Sequence, residues 1–115
     1  MNGQHIPPDY SRGDETTVGG YAAVHGRPAA LAGPDGASYS VEVLVDETGQ
    51  PGGPWGAYLF FVRWSSGQPA LAGHAESDFL VRAQTADEAR TQLGAWSLAE
   101  VKRVLDRLVR VEGAV

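Results

Sequence analysis

No cysteine occurs in the chain, so a disulfide framework, a thiolate zinc site, a thiol nucleophile and a dithiol redox pair are all excluded. Stability must come from packing. Long apolar runs are missing too: no stretch of about 18 apolar residues exists that could cross a bilayer as a helix. The opening residues, Met-Asn-Gly-Gln-His-Ile-Pro-Pro, lack the basic-then-apolar pattern of a secretory signal. The expectation from these two absences is a cytoplasmic protein without a membrane partner.

A basic excess is also lacking. The formal net charge is −5; residues 1–54 carry seven acids against Arg12 and Arg27, and residues 55–115 carry seven of each sign. Neither half offers the clustered Lys and Arg that nonspecific attraction to nucleic acid or an anionic surface requires. Catalytic strings are equally scarce. Gly49 to Gly56 is glycine-rich but has no Lys-Ser/Thr of a phosphate loop and no following helix, and neither Gly-x-Ser-x-Gly nor His-Glu-x-x-His occurs. His5 and His25 stand alone and read as surface histidines. No cofactor is implied.

What is present suits one hydrophobic core in 115 residues. Residues 1–20 hold few large apolar side chains and cannot offset the entropy of ordering, so a flexible N-terminal tail is expected there, with a single α+β domain over 21–115. Sixteen of the 22 Gly and Pro residues precede Trp55, which disfavours helix in the first half. Residues 21–25 and 29–32 read as weak strands. Pro34, Asp35 and Gly36 form a good turn, since proline presets φ, Asp bonds back to the backbone and glycine accepts positive φ.

The turn leads into residues 38–46, where Tyr39, Val41, Val43 and Val45 alternate with polar side chains and Leu44 is the exception. Over residues 55–64 the alternation vanishes. Ala57, Leu59 and Phe61 should point one way and Tyr58, Phe60, Val62 and Trp64 the other, the pattern of a central strand apolar on both sides. Alternation returns over 70–78 and again over 79–82. The last third changes period: Thr85 with Glu88 and Ser97 with Glu100 each fit a capping box, implying helices over about 86–93 and 98–111. Leu98, Val101, Leu105, Leu108 and Val109 form an apolar stripe on the second. The fold class expected is α+β, an antiparallel β-meander of three to five strands with a C-terminal helical pair packed on one face.

Arg27 to Ala30, Asp35-Gly36, Tyr39 to Glu42, Tyr58-Leu59 with Val62 to Trp64, and Gly73 to Ser77 together resemble a small group of uncharacterised bacterial α+β proteins. The resemblance covers roughly residues 27–110. It implies one compact domain and no known activity.

Three sets of residues carry candidate chemistry. His74, Glu76 and Asp78 at alternate strand positions would share a face, offering an imidazole and two carboxylates as metal ligands or as a base with its orienting acid. A polar strand face gives the same pattern. The helix pair approaches the spacing of helix-turn-helix DNA-binding regulators, with Lys102, Arg103, Arg107 and Arg110 available for phosphates. Yet Ala89 stands five residues before Gly94 where that motif has four, and Glu100 takes a position the motif fills with a buried aliphatic. Arg63 reads as a strand-end residue paired with Glu42 or Glu76.

The third set is the central strand itself. Two helices can cover one face of a small sheet, while aromatic side chains on the other would each need about 150–250 Å² of cover. The first strands and tail, a second copy of the chain, or another protein could supply it. The reading favoured by elimination is a noncatalytic interaction module that forms a homodimer or binds another protein through Tyr58, Phe60, Val62 and Trp64. The alternatives are a small metal-dependent enzyme centred on His74 and Glu76, and a DNA-binding regulator using the helix pair.

Overall fold

The computed structural model describes residues 7–65 and 68–112. Residues 1–6, with His5, and residues 66–67 lie outside the described residues. The fold is α+β: an antiparallel sheet of five strands with three helices. The strands are β1 (Ala30–Ala32), β2 (Ser38–Glu47), β3 (Trp55–Ser65), β4 (Gln68–Glu76) and β5 (Val81–Ala83). The order β1-β2-β3-β4 is a meander, and β5 pairs with β3.

β4 and β5 occupy one lane. Glu76 lies opposite Phe60 and Val81 opposite Ala57 on the same edge of β3. Between them the Ser77 N–H donates to the Leu59 carbonyl at 3.0 Å and the Leu80 N–H to that of Ala57 at 2.8 Å. The outer lane is thus one strand interrupted at 77–80. At the other end of the sheet, Gly36 takes φ 84° in the turn before β2, and the Asp35 carboxylate accepts the Ala37 N–H at 3.1 Å.

The C-terminal helices are α2 (Ala86–Gly94) and α3 (Leu98–Glu112). Both begin with the expected capping boxes. Thr85 Oγ1 accepts the Glu88 N–H at 3.1 Å while Glu88 accepts the Thr85 N–H at 3.2 Å; Ser97 and Glu100 exchange the same pair at 3.1 and 2.9 Å. Each cap satisfies donors that the first turn of a helix leaves orphaned. Ala89, Leu93, Val101 and Leu105 are wholly enclosed against Tyr39, Val41, Leu59 and Phe61 of the sheet.

The N-terminal region differs from its expectation. Residues 21–25, expected as a weak strand, belong to a helix, α1 (Val18–His25), that starts before the boundary expected at residue 20. Thr17 caps it, its hydroxyl accepting the Gly20 N–H at 3.0 Å, and Gly26 closes it at φ 67°. Val18 and Val24 are 3% and 2% exposed, so the core begins ahead of Tyr21. Gly19 and Gly20, which read as breakers, answer a packing need. A Cβ on Gly19 would stand 3.0 Å from Gly94 backbone, and one on Gly20 would stand 1.9 Å from the Asp14 carbonyl oxygen.

Backbone bonds fix α1 beside the α2–α3 junction: the Val18 N–H donates to Trp96 O at 3.0 Å and the Leu98 N–H to Thr16 O at 2.8 Å. All three helices therefore lie on one side of the sheet. The first strand extends the sheet edge instead of folding across the other face.

Candidate functional site

The register of the meander decides which side chains share the helix-free face. Ser40 pairs with Val62, Glu42 with Phe60, Leu44 with Tyr58 and Asp46 with Gly56; His74 and Glu76 sit across from Val62 and Phe60 on the other side. Parity then places Tyr58, Phe60, Val62 and Trp64 together, as expected, with Leu44 beside them. Each is half-buried. Their odd-numbered neighbours Ala57, Leu59 and Phe61 are fully buried under the helices.

These open-face side chains shelter one another. Tyr58 meets Phe79 edge to face with ring centres 5.9 Å apart, and Phe60 stacks on the His74 ring at 5.5 Å. Trp64 Nε1 donates to Ser40 Oγ at 3.0 Å, which satisfies the indole N–H. Phe79 reaches β3 because residue 56 is glycine: a Cβ there would stand 2.4 Å from the Phe79 ring. Glu42 and Glu76 flank Phe60, and Arg82 lies 5.9 Å from the centre of the Phe79 ring. The arrangement is an aromatic stripe with a polar frame.

His74 and Glu76 share this face and are exposed. Asp78 lies beyond the end of β4, in the interruption of the outer lane, so strand periodicity no longer aligns it with them. No group of three or more His, Asp or Glu side chains gathers as a metal site among the described residues. In the helix pair, Ala89, Leu93 and Val101 face the core, Lys102 is bound to Asp106 at 2.6 Å, and Arg103, Arg107 and Arg110 are exposed. Among the described residues no helix is long and apolar enough to cross a membrane.

Arg63 pairs with neither expected carboxylate. Its Nε donates to Asp35 Oδ2 at 3.1 Å, because residue 63 has the parity of the helix side whereas Glu42 and Glu76 face the other way. The same Asp35 oxygen accepts the Tyr39 hydroxyl at 2.8 Å. Desolvation opposes ionisation of Asp35, but the Tyr39 hydroxyl, the Ala37 N–H and the Arg63 guanidinium together hold its carboxyl below its ordinary value. Burial, and then Asp35, push the Tyr39 hydroxyl up. Beside this latch a hollow of about 870 Å³ runs past Arg27, Ser40, Glu42, Val62 and Trp64 at the β1 end of the open face.

Two members of the stripe carried weak signals in the sequence. Leu44 broke the alternation of β2, and that break marks an apolar residue on an otherwise polar face. Phe79 looked like a strand residue, whereas it belongs to the interruption that lets its ring fold over Gly56. No family model matches this chain, nor does any curated protein or solved structure.

Proposed function

We propose that the protein is a noncatalytic interaction module that docks through the helix-free face of its sheet onto a second copy of itself. The observation that carries this reading is the contrast across β3. Helices enclose Leu59 and Phe61, while Tyr58, Phe60, Val62 and Trp64 on the other side stay half-buried, with Phe79 and His74 as partial cover. Soluble monomers seldom leave a contiguous apolar patch larger than a few hundred Å².

The size of the face is suited to a dimer. β3 spans 11 residues, β2 10, β1 3, and β4 and β5 9 and 3; at about 3.3 Å each in lanes about 4.8 Å apart, the face projects to roughly 570 Å². A stable interface takes about 800 Å² of accessible surface from each partner, and a face ridged by rings exposes more than its projection.

Charge favours one pairing. Glu42, Phe60 and Glu76 form one row across the strands, and Val62 and His74 the next. A two-fold axis lying across the strands between those rows keeps the carboxylates of two copies apart. It sets Glu76 against the partner's His74 and Tyr58 against the partner's Trp64, at the spacing of about 10 Å that packed sheets adopt. The enzyme and DNA readings have less behind them, since the His74 ring is taken up by Phe60 and Lys102 by Asp106.

Light scattering at tens of micromolar tests the proposal. The expected mass is twice the 12.2 kDa of one chain. Trp64→Arg should return the mass to that of one chain with an unchanged circular dichroism spectrum. A wild-type monomer at those concentrations, or a folded Trp64→Arg dimer, overturns it.

A further inference from the structure

The outer edge of β2 is only half covered. β1 pairs with Ser38, Tyr39 and Ser40, and one further bond runs from the Val41 N–H to the Ala29 carbonyl at 3.1 Å. Beyond that point β2 continues to Glu47 with β3 as its only paired strand among the described residues. Successive residues of an antiparallel ladder direct their backbone groups to opposite sides. Val41 bonds outward to Ala29, and the Leu59 and Ala57 carbonyls bond outward on the far side of β3. Carried along the unbroken β2–β3 register, this parity turns the N–H and C=O groups of Val43 and Val45 away from β3, where they meet no partner among the described residues. An unpaired edge is a template for another strand.

A groove of about 540 Å³ lies along this edge, between β2, α1 and α2, lined by Val18, Ala22, Pro28, Val43 and Arg90. Its cations are engaged: Arg90 with Asp87 at 2.9 Å, and Arg27, at the groove's end, near the Tyr21 ring at 5.9 Å. The acids of β2 are not. Glu42, Asp46 and Glu47 are exposed and form no ion pair among the described residues. Two copies joined antiparallel through this edge about Leu44 would set Glu42 opposite the partner's Asp46, and like charges placed opposite one another destabilise a strand pair.

We propose that the free edge of β2 accepts, by strand addition at Val43 and Val45, an extended segment of another protein in which basic and apolar residues alternate. Its apolar side chains enter the groove beside Val18 and Ala22, and its basic side chains lie beside Glu42 and Asp46. The unpaired backbone groups of this edge lie in the plane of the sheet, whereas Glu42 and Asp46 belong to its open face, so the added strand runs along the border of a face-to-face dimer.

Amide exchange followed by NMR, with a capped six-residue peptide alternating Lys and Val as probe, tests the proposal. In the free chain the Val43 and Val45 amides should exchange at least tenfold faster than those of Glu42 and Leu44. Saturating Lys-Val peptide should slow both at least tenfold; a Glu-Val peptide, and a Lys-Val peptide with N-methylated backbone, should not. Val45→Pro removes an N–H that β3 does not use, so it should keep the fold and lose at least tenfold in peptide affinity. Glu42→Lys combined with Asp46→Lys should transfer the preference to the Glu-Val peptide. Protection of Val43 and Val45 before any peptide is added overturns the proposal. So does failure of the Lys-Val peptide to bind, or its binding without slowing those two amides.

Discussion

Leu59 and Phe60 are neighbours on β3 and both are large and apolar, yet Leu59 is fully enclosed while Phe60 is only partly buried on the opposite face. The difference lies in the connections. β5 passes into α2, and α2 into α3, through short links, and short links keep consecutive elements adjacent. The bonds from Val18 to Trp96 and from Leu98 to Thr16 then draw α1 to the same side. One face becomes a core, and the other is left to its own side chains. Apolar composition alone thus sets a demand for cover without deciding what supplies it.

The largest effect should come from breaking that contrast within β3. Leu59→Ala should cost about 2–5 kcal/mol in urea unfolding, because it empties a site enclosed on all sides. Phe60→Ala should cost roughly 1 kcal/mol at low protein concentration, since part of its ring is already wet. If the face dimerises, the Phe60→Ala loss should grow as protein concentration rises, by mass action. Equal losses for both variants in dilute solution would erase the distinction between the faces.

A middle-sized effect sharpens how tightly the covered side is built. Gly20→Ala pushes a methyl into the Asp14 carbonyl and should lower stability by about 1–3 kcal/mol. Gly52→Ala, where nothing lies within 4 Å, should change it by no more than about 0.5 kcal/mol. Thermal melts of the two variants make the comparison. A harmless Gly20→Ala would mean that α1 can shift away from the turn at Asp14.

The smallest effect probes the latch at the rim of the sheet. Asp35→Asn should cost about 1–2 kcal/mol at neutral pH, towards the low end for hydrogen bonds to a charged group because the carboxylate is partly exposed and Asn keeps one acceptor oxygen. Because the folded carboxyl titrates below its ordinary value of 3.8, the stabilisation is complete above that value and fades as pH falls towards the folded pKa. The gap between wild type and Asp35→Asn should therefore close in acid below about pH 4. A gap that stays constant down to pH 2 would remove Asp35 ionisation from the account.

Much of the β region was legible because its signals are local. Alternation over 38–46, the doubly apolar run over 55–64, the turn at Asp35-Gly36 and both capping boxes depend on residues within one strand or one helical turn. α1 escaped because its glycines carry opposite meanings in two contexts: in isolation Gly19 and Gly20 disfavour helix by roughly 1 kcal/mol each, whereas against Gly94 and Asp14 they allow contact no other residue permits. Arg63 escaped for a related reason. Its proximity to Glu42 and Glu76 in an imagined sheet ignored parity, which sends it to Asp35 on the other side.

The sequence by itself determined the pleated strands, the two capped helices and the membership of each β3 face, because period and capping chemistry are written in adjacent residues. Only the tertiary structure decided that α1 joins α2 and α3 on a single side, that Phe79 folds over Gly56, and that β1 stops short of Val43. Each of those depends on close approach between segments far apart in the chain, and such an approach leaves no periodic trace in the residues that make it.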